Sequence, residues 1–199
     1  MAKLGFTTGP GGSNGGSNRG PGVTVLRQDA GVEPLLEGRA ACISTMSYNE
    51  YWQVIDAGIK PAQLRVFRYE DEGVATLEDG LYALAPRLQD PAMAERLARF
   101  LRASVAGWRY AMNPAHGAEV VRIVQLAGAP NPLDASKERR MLREIVKLLP
   151  GSGHGLGYLA PAAYERTVDV LLSAKTNPVI RRRPEAAWTH AVWNKAFAR

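Results

Sequence analysis

The amino-acid sequence predicts an α/β fold in which a parallel-rich sheet is flanked by helices. Two observations lead to this prediction. Short apolar segments alternate with helical segments between residues 22 and 58, and helical patterns dominate the chain from residue 90 onward. A β-α-β-α order is typical of a parallel sheet covered by helices. With 199 residues, of which 46% are hydrophobic, the chain is long enough to bury a core.

The N-terminal residues 1–21 are predicted to form a flexible segment that carries no fold. They contain GGSNGGSN, a tandem of small polar residues that cannot bury apolar area. A natural low-complexity insertion and an engineered linker both fit this composition.

The predicted strands are short apolar segments bounded by glycine, proline or charged residues. After the first strand, residues 32–36 are predicted to form one or two helical turns that stop at Gly38. Cys42, in the second strand, is expected to be a small buried side chain. The four predicted strands are residues 23–27, 40–43, 64–69 and 80–84.

An aromatic helix is predicted to begin at Tyr48. Ser47 and Glu50 have the spacing of a capping box, in which the serine hydroxyl accepts from the Glu50 backbone N–H and the glutamate reaches back. The helix is expected to end near Gly58, because glycine suits the left-handed conformation after a helix and Pro61 prevents any continuation.

The second half of the chain is predicted to be helical. Asp90 is expected to cap a helix that Pro91 opens and that runs to residue 112. Glu138 lies on a helix expected to be remote from the ligand site, so its replacement is expected to leave ligand affinity unchanged. The apolar residues of the first helix recur at helical spacing and predict a core face: Met93, Leu97, Phe100, Leu101, Val105, Trp108 and Met112. The other predicted helices are residues 118–126, 136–149, 161–172 and 185–197.

The formal net charge of +6 and the pI near 9.7 could indicate a nucleic-acid partner. However, the basic residues are scattered, only residues 181–183 form a tight run, and no binding motif accompanies them. We therefore expect no nucleic-acid partner. No apolar run approaches the roughly 20 residues that span a bilayer, and the N-terminal MAKLGFTTGPGG has no apolar signal core.

The sequence predicts no metal, no cofactor and no catalytic residue. The single cysteine excludes an internal disulfide and a multi-cysteine metal site. His116, His154 and His190 lie in separate segments without metal-ligand spacing. The GSGHGLG stretch at residues 151–157 lacks the preceding strand and the Lys-Ser/Thr ending of a phosphate-binding loop.

Several longer strings carry a family resemblance. GVTVLRQ, STMSYNEYWQVIDAG, YEDEGVATLEDGLY and AWTHAVWN resemble the ABC-transporter substrate-binding proteins of the nitrate/sulfonate/taurine and thiamine-pyrimidine class. This resemblance implies a type II periplasmic-binding-protein fold, whose two lobes close on a small ligand. It also implies delivery of the ligand to an ABC permease and ATPase, and a periplasmic location although no signal peptide is present.

The resemblance also implies a domain organisation. Residues 22–67 are expected to form part of the second lobe, and residues 68–199 are expected to return to the first lobe. Most of the first lobe has no counterpart in the sequence, which predicts a truncated copy. Strands near Leu64 and Tyr82 would then have an unpaired edge, and exposed edges recruit other chains, so we expect self-association.

The predicted ligand site combines flat aromatic side chains with oriented acceptors, the combination that gives small-molecule pockets their specificity. Glu50 and the acidic residues after Tyr69 disfavour an anion, so a neutral or cationic nitrogen heterocycle such as a thiamine pyrimidine precursor suits this set better. A sulfonate, taurine or nitrate ligand is the alternative. The predicted ligand-binding residues are Tyr48, Asn49, Glu50, Trp52, Tyr69, Glu70, Asp71 and Glu78.

Other interpretations remain open at this point. Trp52 also fits the core face of its helix, and Glu50 also fits a purely capping role. Fungal relatives that make the thiamine pyrimidine resemble one another in a cysteine-rich motif, which this chain with its one cysteine lacks. We therefore expect a binding protein and not an enzyme. A pyrimidine synthase and a basic nucleic-acid-associated protein are the rivals from other classes.

Overall fold

The computed structural model describes residues 7–9, 22–29, 31–128, 134–149, 153–173 and 179–197. Apart from residues 7–9, the predicted flexible segment 1–21 lies outside these ranges. Among the described helices, none combines the length and the apolar character needed to cross a bilayer.

The chain forms two compact units that interleave along the sequence. The first unit comprises Met1–Thr45, Gln53–Glu78 and Ala160–Ala187. The second unit comprises Met46–Trp52, Asp79–Leu159 and Trp188–Arg199. The lobe boundaries predicted from the sequence stay a prediction.

The described residues contain seven α-helices and two short strands. The strands are β1 (Thr7–Gly9) and β2 (Gly22–Thr24), which pair in parallel with Thr8 opposite Val23. Short 3-10 helices lie at Pro61–Gln63, Ala85–Gln89 and Pro114–His116. The helices are α1 (Glu33–Leu36), α2 (Glu50–Asp56), α3 (Pro91–Met112), α4 (Gly117–Ala127), α5 (Ala135–Leu148), α6 (Pro161–Leu172) and α7 (Ala191–Phe197).

The predicted α/β fold, with parallel-rich sheets in two lobes, is wrong for the described residues. Their β structure is limited to the two three-residue strands β1 and β2. Of the four predicted strands, only residues 23–27 overlap an observed one. The segments 40–43, 64–69 and 80–84 have no strand partner within the described part of the chain.

In two places, side chains form hydrogen bonds with backbone N–H and C=O groups. In a sheet, a neighbouring strand would form these bonds. The Gln28 amide brackets Ser44, accepting from its N–H at 3.0 Å and donating to its carbonyl at 2.8 Å. In the first unit, the Leu77 N–H donates to the Thr167 hydroxyl at 2.8 Å, and Arg166 donates to the Ala75 carbonyl at 3.1 Å. Side chains therefore supply the partners of these backbone groups.

The helical predictions are largely confirmed. Asp90 caps α3 by accepting from the Ala92 N–H at 2.9 Å, and Pro91 is the first residue of the helix. Helix α6 has the predicted bounds, and α4 and α5 agree with the prediction to within a residue at each end. Helix α7 begins six residues later than predicted. Ala186 has a φ of 48°, a left-handed conformation that an α-helix cannot include.

The predicted aromatic helix is present as α2 but begins at Glu50 instead of Tyr48. Glu50 reaches back as predicted, although it accepts from the N–H of Met46 and not of Ser47. Gly58 has a φ of 96°, which confirms the left-handed end of the helix. Cys42 is exposed, so its expected burial is wrong.

Each unit has its own small core. Val32, Val54 and Val168 are buried in the first unit. In the second unit, α3 packs against α7 and α4 packs against α5. There the buried residues include Ala98 and Val105, seven residues apart on one face of α3, and Val121 of α4. The predicted core face of α3 is only partly buried, because Phe100 and Trp108 are 58% and 40% exposed.

Candidate ligand-binding site

The eight predicted ligand-binding residues form two groups of four, one group in each unit. Tyr48, Asn49, Glu50 and Trp52 lie in the second unit, at the start of α2. Tyr69, Glu70, Asp71 and Glu78 lie in the first unit, in and after an exposed turn.

The Glu50 carboxylate is held by two local hydrogen bonds. One oxygen accepts from the Met46 N–H at 2.8 Å, and the other accepts from the Asn49 side-chain amide at 2.9 Å. Glu50 and Asn49 are both half-buried. A carboxylate has about four lone-pair sites, so two can still accept from a ligand. The capping role and a binding role are therefore compatible at Glu50.

Trp52 lies in a cluster that includes a cation. The edge of its ring system meets the Tyr51 ring, with centroids 5.3 Å apart and an interplanar angle of 82°. The Arg140 guanidinium of α5 lies over the indole, 4.9 Å from the ring centroid, in cation–π geometry. The indole Nε1 is buried and has no hydrogen-bond partner in the described part of the chain. One face of this predicted stacking residue is therefore covered by a cation.

Helix α5 is not remote from the predicted site, as the sequence interpretation had assumed. Arg140 of α5 contacts Trp52, and Glu138 on the same helix is only 9% exposed. A charged side chain that is largely withdrawn from water is sensitive to replacement. Glu138 is therefore a poor choice of control variant, and the expectation that its replacement leaves ligand affinity unchanged stays a prediction.

The second group surrounds a tight turn in the first unit. The Val74 N–H donates to the Tyr69 carbonyl at 2.9 Å, and Gly73 adopts a φ of 65° within the turn. The Tyr69 hydroxyl lies 3.1 Å from the Ser44 hydroxyl. The Gln28 side chain in turn binds the backbone of Ser44. Tyr69 is therefore held in place by residues that are distant in the sequence.

The acidic residues of the second group face solvent. Glu70 lies 3.9 Å from the Arg68 guanidinium, and both side chains are more than half exposed. Such a surface pair contributes little to stability. Asp71 and Glu78 are exposed as well. These carboxylates are free to meet a ligand in water but are not desolvated by the first unit.

An aromatic cluster in the second unit was missed in the sequence. Tyr158 is sandwiched between His154 and His190, with ring centroids 4.2 and 4.4 Å away. His190 Nε2 lies 2.7 Å from the Leu159 carbonyl, so this nitrogen donates, because a carbonyl oxygen can only accept. Trp193 meets Tyr158 edge-on at 5.0 Å. The spacing of these residues follows no single helical period, which left no local signal for the cluster.

A further feature, a surface crevice, does not coincide with the predicted groups. A crevice of about 290 Å³ in the first unit is lined by Arg182, Arg183, Pro184 and Glu185. Arg183 there pairs with Glu165 and Asp169 of α6. Within the described ranges, no cluster of three His, Cys, Asp or Glu side chains could hold a metal ion.

Comparison with known proteins identifies the class. Residues 15–118, just over half of the chain, match the family described as NMT1/THI5 like. The chain therefore belongs to the NMT1/THI5-like family, and the resemblance noted in the sequence is confirmed. No curated protein and no solved structure matches it significantly. The family supports a solute-binding role for a small ligand, although it also includes the pyrimidine synthase THI5.

Proposed function

We propose that the chain is the solute-binding component of an ABC importer and that it binds a small nitrogen heterocycle, such as a thiamine pyrimidine precursor. One observation carries this proposal. The family match over residues 15–118 includes all eight predicted ligand-binding residues. An ABC permease and ATPase are its proposed partners, and the periplasm is its proposed location.

The chemistry of the first group favours a ligand that donates hydrogen bonds. The Glu50 carboxylate is oriented before any ligand arrives, since Met46 and Asn49 hold it. An oriented acceptor loses little entropy on binding, and hydrogen bonds to an ionised acceptor are about twice as strong as neutral ones. Ring N–H and exocyclic amino groups of an aminopyrimidine supply such donors.

Arg140 supports a second candidate ligand. Its guanidinium lies over the Trp52 indole, beside the segment that contains Glu50. A guanidinium matches the geometry of sulfonate, nitrate and carboxylate oxygens. A sulfonate, taurine or nitrate is therefore the alternative ligand, and Arg140 is the residue that would favour it.

Calorimetric titration of the full chain separates the two ligand classes. We expect aminopyrimidines to bind with a measurable enthalpy and small sulfonates to bind more weakly or not at all. Preferential sulfonate binding that is lost in Arg140→Gln would replace the heterocycle with the alternative ligand. No binding of either class would overturn the proposed solute-binding role of this chain.

The enzyme alternative needs its own assay. We propose that the chain binds its ligand without converting it, because the single cysteine leaves the cysteine-rich motif of the synthase relatives incomplete. Incubation with iron and a vitamin-derived substrate is expected to give no pyrimidine product. Turnover above that of a heat-denatured sample would show that the chain is a synthase.

A further inference from the structure

Helix α5 presents a row of basic side chains to solvent. Arg139, Arg143 and Lys147 follow one another at intervals of four residues, so they lie on one face of the helix, and all three are exposed. At about 1.5 Å of rise per residue, the row is about 12 Å long. We call these three residues the basic stripe.

The glutamates of α5 leave most of the basic stripe without a counter-charge. Glu138 is 9% exposed, so its carboxylate is largely withdrawn from the surface. The Glu144 side chain is 20% exposed, and its carboxylate is bound to Lys147 at 2.7 Å. Among the described residues, no carboxylate lies within ion-pair distance of Arg139 or Arg143. In the sequence both glutamates stand among the basic residues, so this separation of charge exists only in the folded helix.

The chemistry of the basic stripe favours an extended polyanion that carries phosphate groups. A guanidinium is always charged, and its planar fork of donors matches phosphate oxygens. Arg139 and Arg143 are exposed side chains on a regular helix, about 6 Å apart along its axis. Such a row gains from each phosphate that it meets on a continuous surface, whereas one small anion would meet only part of it.

An exposed leucine favours lipid over nucleic acid as the source of these phosphates. Leu148 directly follows Lys147 and is 57% exposed. An apolar side chain beside cations suits the boundary between lipid headgroups and acyl chains, where it leaves water. The charged backbone of a nucleic acid offers it no such boundary.

We propose that the basic stripe docks the chain on an anionic lipid surface. The choice of a membrane rests on the proposed function, since a component of an ABC importer works beside one. Each Lys or Arg near such a surface strengthens binding about fivefold, and the attraction falls off within about a Debye length. Docking is therefore reversible and sensitive to salt.

Sedimentation with lipid vesicles tests this docking. At low salt, we expect the full chain to sediment with vesicles made of equal parts of phosphatidylglycerol and phosphatidylcholine, but not with phosphatidylcholine alone. The double variant Arg139→Gln/Arg143→Gln should bind roughly thirtyfold more weakly, because two cations are lost. The matched control is Arg181→Gln/Arg182→Gln, which removes the same charge from two exposed arginines of the first unit and should bind like the wild type. Circular dichroism shows whether each variant is folded.

Three results would overturn the proposal: no preferential sedimentation with the anionic vesicles at low salt, equal weakening in both double variants, or binding to duplex DNA without binding to the vesicles. Equal weakening would mean that net charge alone drives the binding, and the third result would make a nucleic acid the occupant of the basic stripe. The aminopyrimidine titration is a separate readout. Ligand binding without docking overturns only this inference, whereas docking without ligand binding overturns only the proposed function.

Discussion

At Glu50, two hydrogen bonds fix the orientation of one carboxylate. The Met46 N–H and the Asn49 amide each donate to one of its carboxylate oxygens. Glutamine in its place has one acceptor and one donor group, so both donors cannot be satisfied without rearrangement. We expect Glu50→Gln to lower the free energy of unfolding by about 0.5–1.5 kcal/mol.

The matched control is Glu33→Gln. Glu33 and Glu50 both lie in the first turn of a short helix, so both changes remove a favourable interaction with the helix dipole. Glu33 is exposed and makes no described side-chain hydrogen bond. Urea denaturation of the two variants measures the difference. Equal losses would mean that the bonds to Met46 and Asn49 contribute nothing specific.

Arg140 is a residue near the candidate site that the sequence did not reveal. It contacts Trp52, which is 88 positions away in the sequence, and sequence patterns do not report contacts at that separation. We expect Arg140→Gln to cost about 0.5–1 kcal/mol of stability through the lost cation–π interaction. Arg139→Gln, at the exposed neighbouring position, is the control. Thermal unfolding of both variants measures the two costs, and equal midpoints would show that the stacking is not stabilising.

Helix ends are the elements that the sequence predicts best, because their signals are local. Asp90 with Pro91 opens α3, and Asp134 accepts from the backbone of Ser136 and Lys137 at the start of α5. A cap lies within a few residues of the group that it satisfies, so spacing alone reveals it. The late start of α7 was missed because the positive φ of Ala186 has no glycine to mark it.

The α5 cap gives a pH dependence. The Ser136 side chain and then the backbone N–H groups of Ser136 and Lys137 hold the pKa of Asp134 below its ordinary value of 3.8. A carboxyl with a lowered folded pKa stabilises the protein above its unfolded pKa, and this contribution is lost as the pH falls through the folded pKa. We expect wild type to exceed Asp134→Ala in stability at pH 6. The difference should shrink below about pH 4.

Chemical denaturation at a series of pH values measures this difference. The wild-type curve should approach the variant curve only on the acid side. A difference that stays constant from pH 6 to pH 2 would show that the charged form of Asp134 is not what stabilises the helix.

Strands are the elements that the sequence predicts worst. A strand exists only when a partner pairs with it, and that partner is set by the tertiary fold. Residues 40–43, 64–69 and 80–84 have the apolar pattern of strands, yet the described chain gives them no ladder. At Ser44, the backbone bonds to the side chain of Gln28 instead of a neighbouring strand. The hydrophobic pattern of the sequence does not reveal such a contact.

For the whole molecule, the sequence predicted the family, but not how the eight candidate site residues are distributed between the two units. Long strings such as STMSYNEYWQVIDAG identify the family because many positions agree at once, and the match over residues 15–118 confirms it. The division of the eight residues into two groups depends on how the chain interleaves between two units. Spacing along the sequence carries no information about that interleaving.

The central claim is that the chain binds a small nitrogen heterocycle through the carboxylate at the start of α2. The most direct measurement is the affinity of the full chain for an aminopyrimidine, by calorimetry, in wild type, Glu50→Gln and Glu33→Gln. We predict that Glu50→Gln weakens binding by about ten- to a hundredfold, the equivalent of about 1.5–3 kcal/mol for a hydrogen bond to a charged group, while Glu33→Gln binds like the wild type. Equal affinities in all three proteins would contradict the claim.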